Sequence, residues 1–403
     1  MSLEGKLLSA VLNDKQIHVL MQGNVDQLLV THGDIWGYVR SYYDSYGGLP
    51  TPDIVIDKHP DFDYVSETQP TKYYLDELRS ERLDDGVRTI IKRAAGVVQE
   101  GKPGQALDAL ITNAVKLKQM ASPVRDVDVS DADSAISHME NVIKLRESGS
   151  LGIRIGIPEF DVCLPQGIYP GHFGVLLAYP AIGKSWIMAW LAVKAWRAGK
   201  TAMIFSLEMT EEEVRDRIYT IIGNGYFSHR KLSSGNVDLE DFKRWHKNTF
   251  SGMPPIHIIA ADSGAVTPSV VQGKIDQYRP DIVFLDYLNL MSSNEKADSE
   301  TVKMKQLSTQ LKVLAKNTRV PIVAISSATP DDATDMNSAP MLGQVSWSKQ
   351  ISYDADWLIA LGREANSSVL VMIFRKNRHG MLGEFALDVD FDKGQFGYIR
   401  MPD

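Results

Sequence analysis

The apolar run Phe173 to Ala178 ends directly on Ala178-Tyr-Pro-Ala-Ile-Gly183-Lys184-Ser185, and an apolar helical pattern opens behind it. A strand, a glycine-containing loop and a helix in that order constrain the fold more than any other segment. The loop has the Walker A form of a phosphate-binding motif, with alanine where the first glycine usually stands. In such a loop the backbone N–H groups wrap phosphates, the following helix faces them with the positive end of its dipole, and the lysine adds a point charge. The candidate nucleotide-binding residues are therefore Ala178, Tyr179, Pro180, Ala181, Ile182, Gly183, Lys184, Ser185 and Trp186, with ATP as the ligand. Ser185 is also a candidate ligand of Mg2+. Trp186 stands one turn before Trp190, a spacing that equally fits core packing.

Short apolar or β-branched runs continue on both sides of this loop and alternate with helical patterns, which is the sequence form of a parallel sheet with crossover helices. Expected strands are Phe173 to Ala178, Thr201 to Leu207, Ile256 to Ala260, Ile282 to Asp286 and Val320 to Ser326. A helix over about Thr301 to Lys316 separates the last two. After Asp356 the helical patterns stop, and Trp357 to Leu361, Val369 to Phe374 and Phe385 to Val389 suggest added strands.

The first third reads differently. Leu3, Leu7, Leu8, Val11 and Leu12 recur at helical spacing, as do Leu107, Leu110, Ile111, Ala114, Val115 and Leu117. Residues 1–118 are expected to form a small all-helical domain, 119–150 a linker with an amphipathic helix, and 151–403 the α/β domain. The linker helix carries Ala135, Ile136, Met139, Val142 and Ile143 on one stripe, which must be covered by its own chain or by a neighbouring subunit.

No apolar run approaches the ~20 residues that span a bilayer, so no membrane is expected and the cytoplasm is the expected location. A single cysteine, Cys163, excludes an intramolecular disulfide, and the nine histidines show no zinc-ligand spacing. The net charge of -8 speaks against a broad polyanion-binding surface and confines any DNA site to a local patch.

Hydrolysis needs two further acids. Asp286 ends the apolar strand Ile282 to Asp286 and is the candidate to hold the metal with Ser185; an N-cap aspartate is the bland alternative. Glu208 follows the strand after the phosphate loop, at the carboxyl edge where nucleotides bind in parallel sheets, and is the candidate to orient water. Its alternative reading is a helix-capping acid ahead of Thr210.

Taken in order, Pro170 to Ser185, Phe205-Ser-Leu-Glu-Met209, Leu285-Asp-Tyr-Leu-Asn-Leu-Met291, Asp354-Ala-Asp356 and Arg375-Lys-Asn-Arg-His-Gly380 resemble the motor domain of the DnaB-type replicative helicases. The resemblance covers about residues 151–400. It implies a RecA-like ATPase and a homo-hexameric ring on single-stranded DNA, with nucleotide bound between two subunits and movement 5' to 3'. It also implies that Arg378 is an arginine finger and Lys376 its partner on a neighbour's γ-phosphate. The helical collar of this family docks primase, so a primase and a helicase loader are implied partners, and the short chain suggests a bacteriophage version.

Two departures bear on function. Where the family has a glutamine sensor after its fourth motor strand, this chain reads Ala324-Ile-Ser-Ser327. The following loop, Ala328 to Gln350, opens with Asp331, Asp332 and Asp335, which leaves Trp347 and Lys349 as the candidate DNA contacts. These departures keep open a nucleotide-gated loading protein without unwinding, beside a RecA-fold recombination or repair ATPase.

Overall fold

The structure is a computed structural model that describes residues 2–21, 25–120, 129–149, 151–261, 265–330, 335–346 and 349–400. The chain divides into two compact units, Met1–Asp131 and Ala132–Asp403.

The first unit contains α1 (Leu3–Asp14), α2 (Ile17–Met21), α3 (Gly33–Tyr46), α4 (Pro52–Lys58), α5 (Thr71–Gln99) and α6 (Pro103–Met120), with no strand among its described residues. The Ser2 hydroxyl starts α1 by accepting from the Gly5 N–H at 3.1 Å. Leu7, Leu8 and Val11 then fall on one face and pack with Trp36, Leu75 and Leu78. Each such buried side chain contributes roughly 1.5–3 kcal/mol.

A charged group lies inside this unit. The Glu4 carboxylate is 2% exposed and accepts from the N–H groups of Val30, Thr31 and His32, and it pairs with Arg82. Burial pushes the carboxyl up, but these backbone donors and Arg82 hold it below its ordinary value.

The second unit opens with α7 (Ala132–Glu147) and α8 (Pro158–Cys163) and continues as β1 (Phe173–Ala178), α9 (Lys184–Arg197), β2 (Ala202–Ser206), α10 (Glu211–Gly223), α11 (His229–Ser233), α12 (Leu239–Phe250), β3 (Ile256–Ala260), α13 (Pro268–Tyr278), β4 (Ile282–Asp286), α14 (Glu300–Thr318), β5 (Ile322–Ser327), α15 (Gln350–Asp354), β6 (Trp357–Arg363), β7 (Val369–Asn377), β8 (Glu384–Asp390) and β9 (Gln395–Ile399). All nine strands form one sheet in the order β3-β2-β4-β5-β1-β6-β7-β8-β9. The strands from β3 to β6 pair in parallel, and β7, β8 and β9 extend the sheet antiparallel.

The middle strands β1, β2 and β4 are buried along their whole length, as expected where helices cover both faces. One close approach fixes a residue type: a Cβ on Gly174 would stand 2.0 Å from the Trp357 ring, so only glycine lets β6 place its tryptophan there. β9 is an addition to the expected strands. Helix α7 buries no residue, and Ile136, Met139 and Ile143 of its apolar stripe are exposed.

Candidate active site

β1 delivers the phosphate loop to the carboxyl edge of the sheet. The loop turns through two left-handed residues, Ala181 at φ 63° and Gly183 at φ 112°, and α9 starts at Lys184. Gly183 is constrained twice, because a Cβ there would also lie 2.7 Å from the Phe391 ring. The Lys184 ammonium donates to the carbonyls of Ala178 and Tyr179 at 3.2 and 2.9 Å. Burial pushes this amine down, opposed by the charges of Asp286 and Glu208.

The sheet register brings the two acids beside the loop. Ser206 of β2 stands opposite Asp286 of β4, and the Leu207 N–H donates to the Asp286 carbonyl at 2.9 Å. Asp286 is 1% exposed, and its Oδ2 has no hydrogen-bond partner. Burial raises this carboxyl, and a hydrogen bond from Ser185 opposes that push. It is not a helix cap, since Tyr287 occupies the N-cap of the following short turn. A buried carboxylate with an open oxygen, bonded to the hydroxyl at the start of α9, fits an octahedral Mg2+ that keeps some of its water.

Glu208 is exposed two residues past the end of β2. It does not cap α10, because Thr210 is that cap and Glu213 closes the box from the third position. Its carboxylate is thus free of a capping role and lies within electrostatic range of Lys184 and Asp286.

Four side chains absent from the expected set complete the surroundings. Phe391, after β8, stacks on Trp186 with centroids 5.2 Å apart and planes 12° apart. The Arg363 guanidinium lies 4.9 Å from the Phe391 centroid, and that of Arg217 lies 5.2 Å from the Trp186 centroid. The His229 ring meets Trp186 edge-on. Together they make an aromatic and cationic shelf beside Gly183. Trp186 therefore belongs to this shelf, whereas Trp190 is buried in the core. No sequence motif marks Phe391, Arg363 or Arg217, which come from three separate parts of the fold.

Lys376 and Arg378 lie elsewhere. The Lys376 ammonium donates to the carbonyls of Ser352 and Tyr353 at 2.6 and 2.8 Å, and Arg378 donates to the Tyr353 carbonyl at 2.5 Å. These are the open carbonyls at the C-terminus of α15, where cations are favoured. The Arg378 N–H donates to the Asp356 carbonyl, and the Asp356 N–H donates to that of Phe173, the first residue of β1. Asp356 also accepts from the Phe173 N–H at 2.7 Å and from Lys312 at 2.5 Å. Behind it the rings of His172 and His379 stack at 4.3 Å. Burial, then His379, push the His172 imidazole down to about 4.

The basic pair is thus tied to the start of β1 and the phosphate loop to its end. Five strand steps separate them, roughly 17 Å. Arg378 and Lys184 cannot grip the same phosphate within one subunit.

Of the two candidate DNA contacts, Lys349 is exposed immediately before α15. Trp347 lies outside the described residues, as do Asp331 and Asp332. Ser327 ends β5 opposite Ala178, beside the phosphate loop.

A family model, the DnaB-like helicase C terminal domain, matches residues 152–397, more than half of the chain. The chain belongs to this family. Among DnaB-like relatives it is similar to the replicative DNA helicase DnaB of Buchnera aphidicola, 26% identical over 268 residues, which cover 63% of this chain and 57% of that protein. It is also similar to the replicative DNA helicase DnaC of Bacillus subtilis, 24% identical over 321 residues, 75% of this chain and 69% of that one. The match to the Buchnera protein therefore spans little more than half of that relative.

Among solved structures, a helicase ATPase domain superposes with a TM-score of 0.58 at 25% identity, covering 68% of this chain and all of that domain. A DnaB-like replicative helicase described with its primase interactions superposes at 0.66 over 99% of both chains. At 19% identity that second likeness shows the fold alone. The second unit has the RecA-like fold of these helicase domains. No described helix is long and apolar enough to cross a membrane.

Proposed function

We propose that the protein is an ATP-driven replicative DNA helicase, working as a hexameric ring that moves 5' to 3' along single-stranded DNA and separates strands. Family membership supports the activity. The observation that carries the ring is the separation of the two half-sites along β1. One subunit holds Lys184, Ser185, Asp286 and Glu208 at the strand's end, and the basic pair Lys376 and Arg378 at its start needs a nucleotide on a second subunit.

In this reading the loop N–H groups and Lys184 bind the ATP phosphates, and the base lies against the shelf of Phe391, Trp186 and Arg363. Ser185 and Asp286 hold Mg2+, which supplies charge neutralisation on the β- and γ-phosphates. Glu208 orients the attacking water. The neighbour's Arg378, with Lys376, meets the charge that develops on the γ-phosphoryl group, an effect worth ~10^3 to 10^5 in rate for such fingers. For Arg378 to reach it, the side chain has to leave the Tyr353 carbonyl.

The exposed stripe Ile136, Met139 and Ile143 of α7 supports assembly through a neighbouring subunit, since nothing described on its own chain buries it. The helical first unit is the proposed collar, the place for a primase and a loader to bind. A second reading, a loading protein without unwinding, is favoured by Ser327, whose short side chain cannot span from β5 to a distant DNA loop.

The deciding experiment mixes two inactive variants, Lys184→Ala and Arg378→Ala, and assays ATP hydrolysis and unwinding of a forked DNA. Each variant alone is inactive, and the mixture recovers activity because some interfaces pair an intact loop with an intact finger. A mixture as inactive as its components refutes the shared site. Robust hydrolysis with no strand separation favours the loading reading, and open filaments in place of rings favour the recombination class.

A further inference from the structure

β7 and the turn after it carry four consecutive polar residues, and each holds a segment of backbone. Lys376 and Arg378 hold the C-terminal carbonyls of α15, and Asn377 donates to the carbonyls of Cys163 and Met381. Arg375, half-buried, donates from Nε to the Pro340 carbonyl at 3.1 Å and from its terminal nitrogen to the Ala339 carbonyl at 3.0 Å. Residues 339 and 340 belong to the loop expected to meet DNA, and α15 begins where that loop ends. One short stretch at the end of β7 therefore grips the loop on one side and the helix that follows it on the other.

The attachment is close. The Arg363 N–H donates to the Asn337 carbonyl at 2.7 Å, and a Cβ on Gly362 would stand 2.5 Å from the Ala339 nitrogen. At its far end the same loop is tied to β5, because the Ser346 N–H donates to the Ser327 carbonyl at 3.1 Å and its hydroxyl bonds Thr329 at 2.8 Å. The loop thus bridges the strand beside this subunit's own phosphate loop and the strand that carries the finger.

We propose that Arg375 is a positioning residue that couples the finger pair Lys376 and Arg378 to the DNA loop, so that strand binding and hydrolysis on the neighbouring subunit are linked through β7. The inference rests on the helicase reading. It supplies a route that needs no long side chain at Ser327. Arg375 forks onto two adjacent carbonyls of the loop, so a shift of the loop pulls on the residue next to Lys376. A lysine keeps the charge but has no planar fork to hold both carbonyls in one geometry.

The test measures ATP hydrolysis by the full-length protein with and without an unstructured oligothymidylate, for wild type, Arg375→Ala and Arg375→Lys, beside thermal melting and mass photometry. Arg375→Ala is expected to keep its DNA-free rate within about twofold and to lose about five- to tenfold of the stimulation by DNA, while still assembling. Arg375→Lys, the variant that carries the test if the alanine form melts early, is expected to fall between. Stimulation equal to wild type in both variants overturns the inference and leaves the helicase reading intact. A parallel fall of the basal and stimulated rates also overturns it, since Arg375 then serves hydrolysis itself. A wild-type protein that DNA does not stimulate removes the helicase reading and the coupling with it.

Discussion

The Arg378 guanidinium stands 3.9 Å from the Asp356 carboxylate while its own N–H donates to the Asp356 carbonyl at 2.8 Å. Asp356 is 2% exposed. Burial pushes its carboxyl up, but the hydrogen bonds from Lys312 and the Phe173 N–H hold it below its ordinary value. One buried charge thus fixes the start of β1, a lysine of α14 and the finger turn together.

Replacing this group separates the two half-sites. Asp356→Asn keeps the shape but leaves Lys312 facing a neutral amide, and is expected to cost about 2 kcal/mol of stability. Hydrolysis by the assembled protein should fall as Arg378 loses its support, while binding of a fluorescent ATP analogue at the distant phosphate loop stays near wild type. Thermal melting and analogue titration check the two halves, and equal loss of binding and hydrolysis contradicts the assignment.

The shelf beside the loop predicts nucleotide affinity. Phe391→Ala removes the stacking partner of Trp186 and Arg363, and is expected to raise KM for ATP about tenfold with a smaller effect on kcat. Gly183→Ala should abolish nucleotide binding outright, because the new methyl meets Phe391 at a φ of 112° that alanine resists. Steady-state kinetics and equilibrium binding test both.

Lys376 predicts an alkaline limb. Burial, then the nearby Arg378 charge, push its ammonium down to about 8. The charged form is the one that meets a phosphate, so kcat/KM for ATP should decline as pH rises through about 8, while Lys376→Arg, which stays charged, lacks that decline. For stability the sign is opposite. Above about 8 the folded form binds fewer protons at this site than the unfolded chain, so this residue's contribution to stability rises between there and the ordinary lysine value of 10.5.

In the first unit Glu4 predicts acid sensitivity. Its folded pKa lies below the ordinary 4.5, so the stabilisation is complete above that value and is lost as pH falls below it. Glu4→Gln should destabilise the helical unit by about 1–3 kcal/mol at pH 7 and flatten its stability against pH in the acid range. Melts followed by circular dichroism from pH 3 upward decide this.

The parts legible in the sequence share one property: local pattern and site chemistry coincide. Phe173 to Ala178, Ile256 to Ala260 and Ile282 to Asp286 are strands with the expected bounds, because each is an almost unbroken apolar run. Lys184, Ser185, Asp286 and Glu208 follow from strand ends and come together at one sheet edge. β9 is hidden because its side chains are only partly buried, so no clear apolar alternation survives. Phe391, Arg363 and Arg217 are hidden because tertiary packing alone brings them to Gly183. The docking of Lys376 and Arg378 on α15 is illegible for another reason, since backbone carbonyls leave no mark in a sequence.

The distance along β1 has a further consequence, a matter of counting. Under the proposed reading a lone subunit owns one loop and one finger yet not a single finished site, and an open row of subunits always has one fewer site than members. Only closure equalises the numbers. Specific activity should then fall on dilution more steeply than for an enzyme whose site is housed in one chain, and a ring that opens to admit a strand should lose one working site for as long as the gap persists.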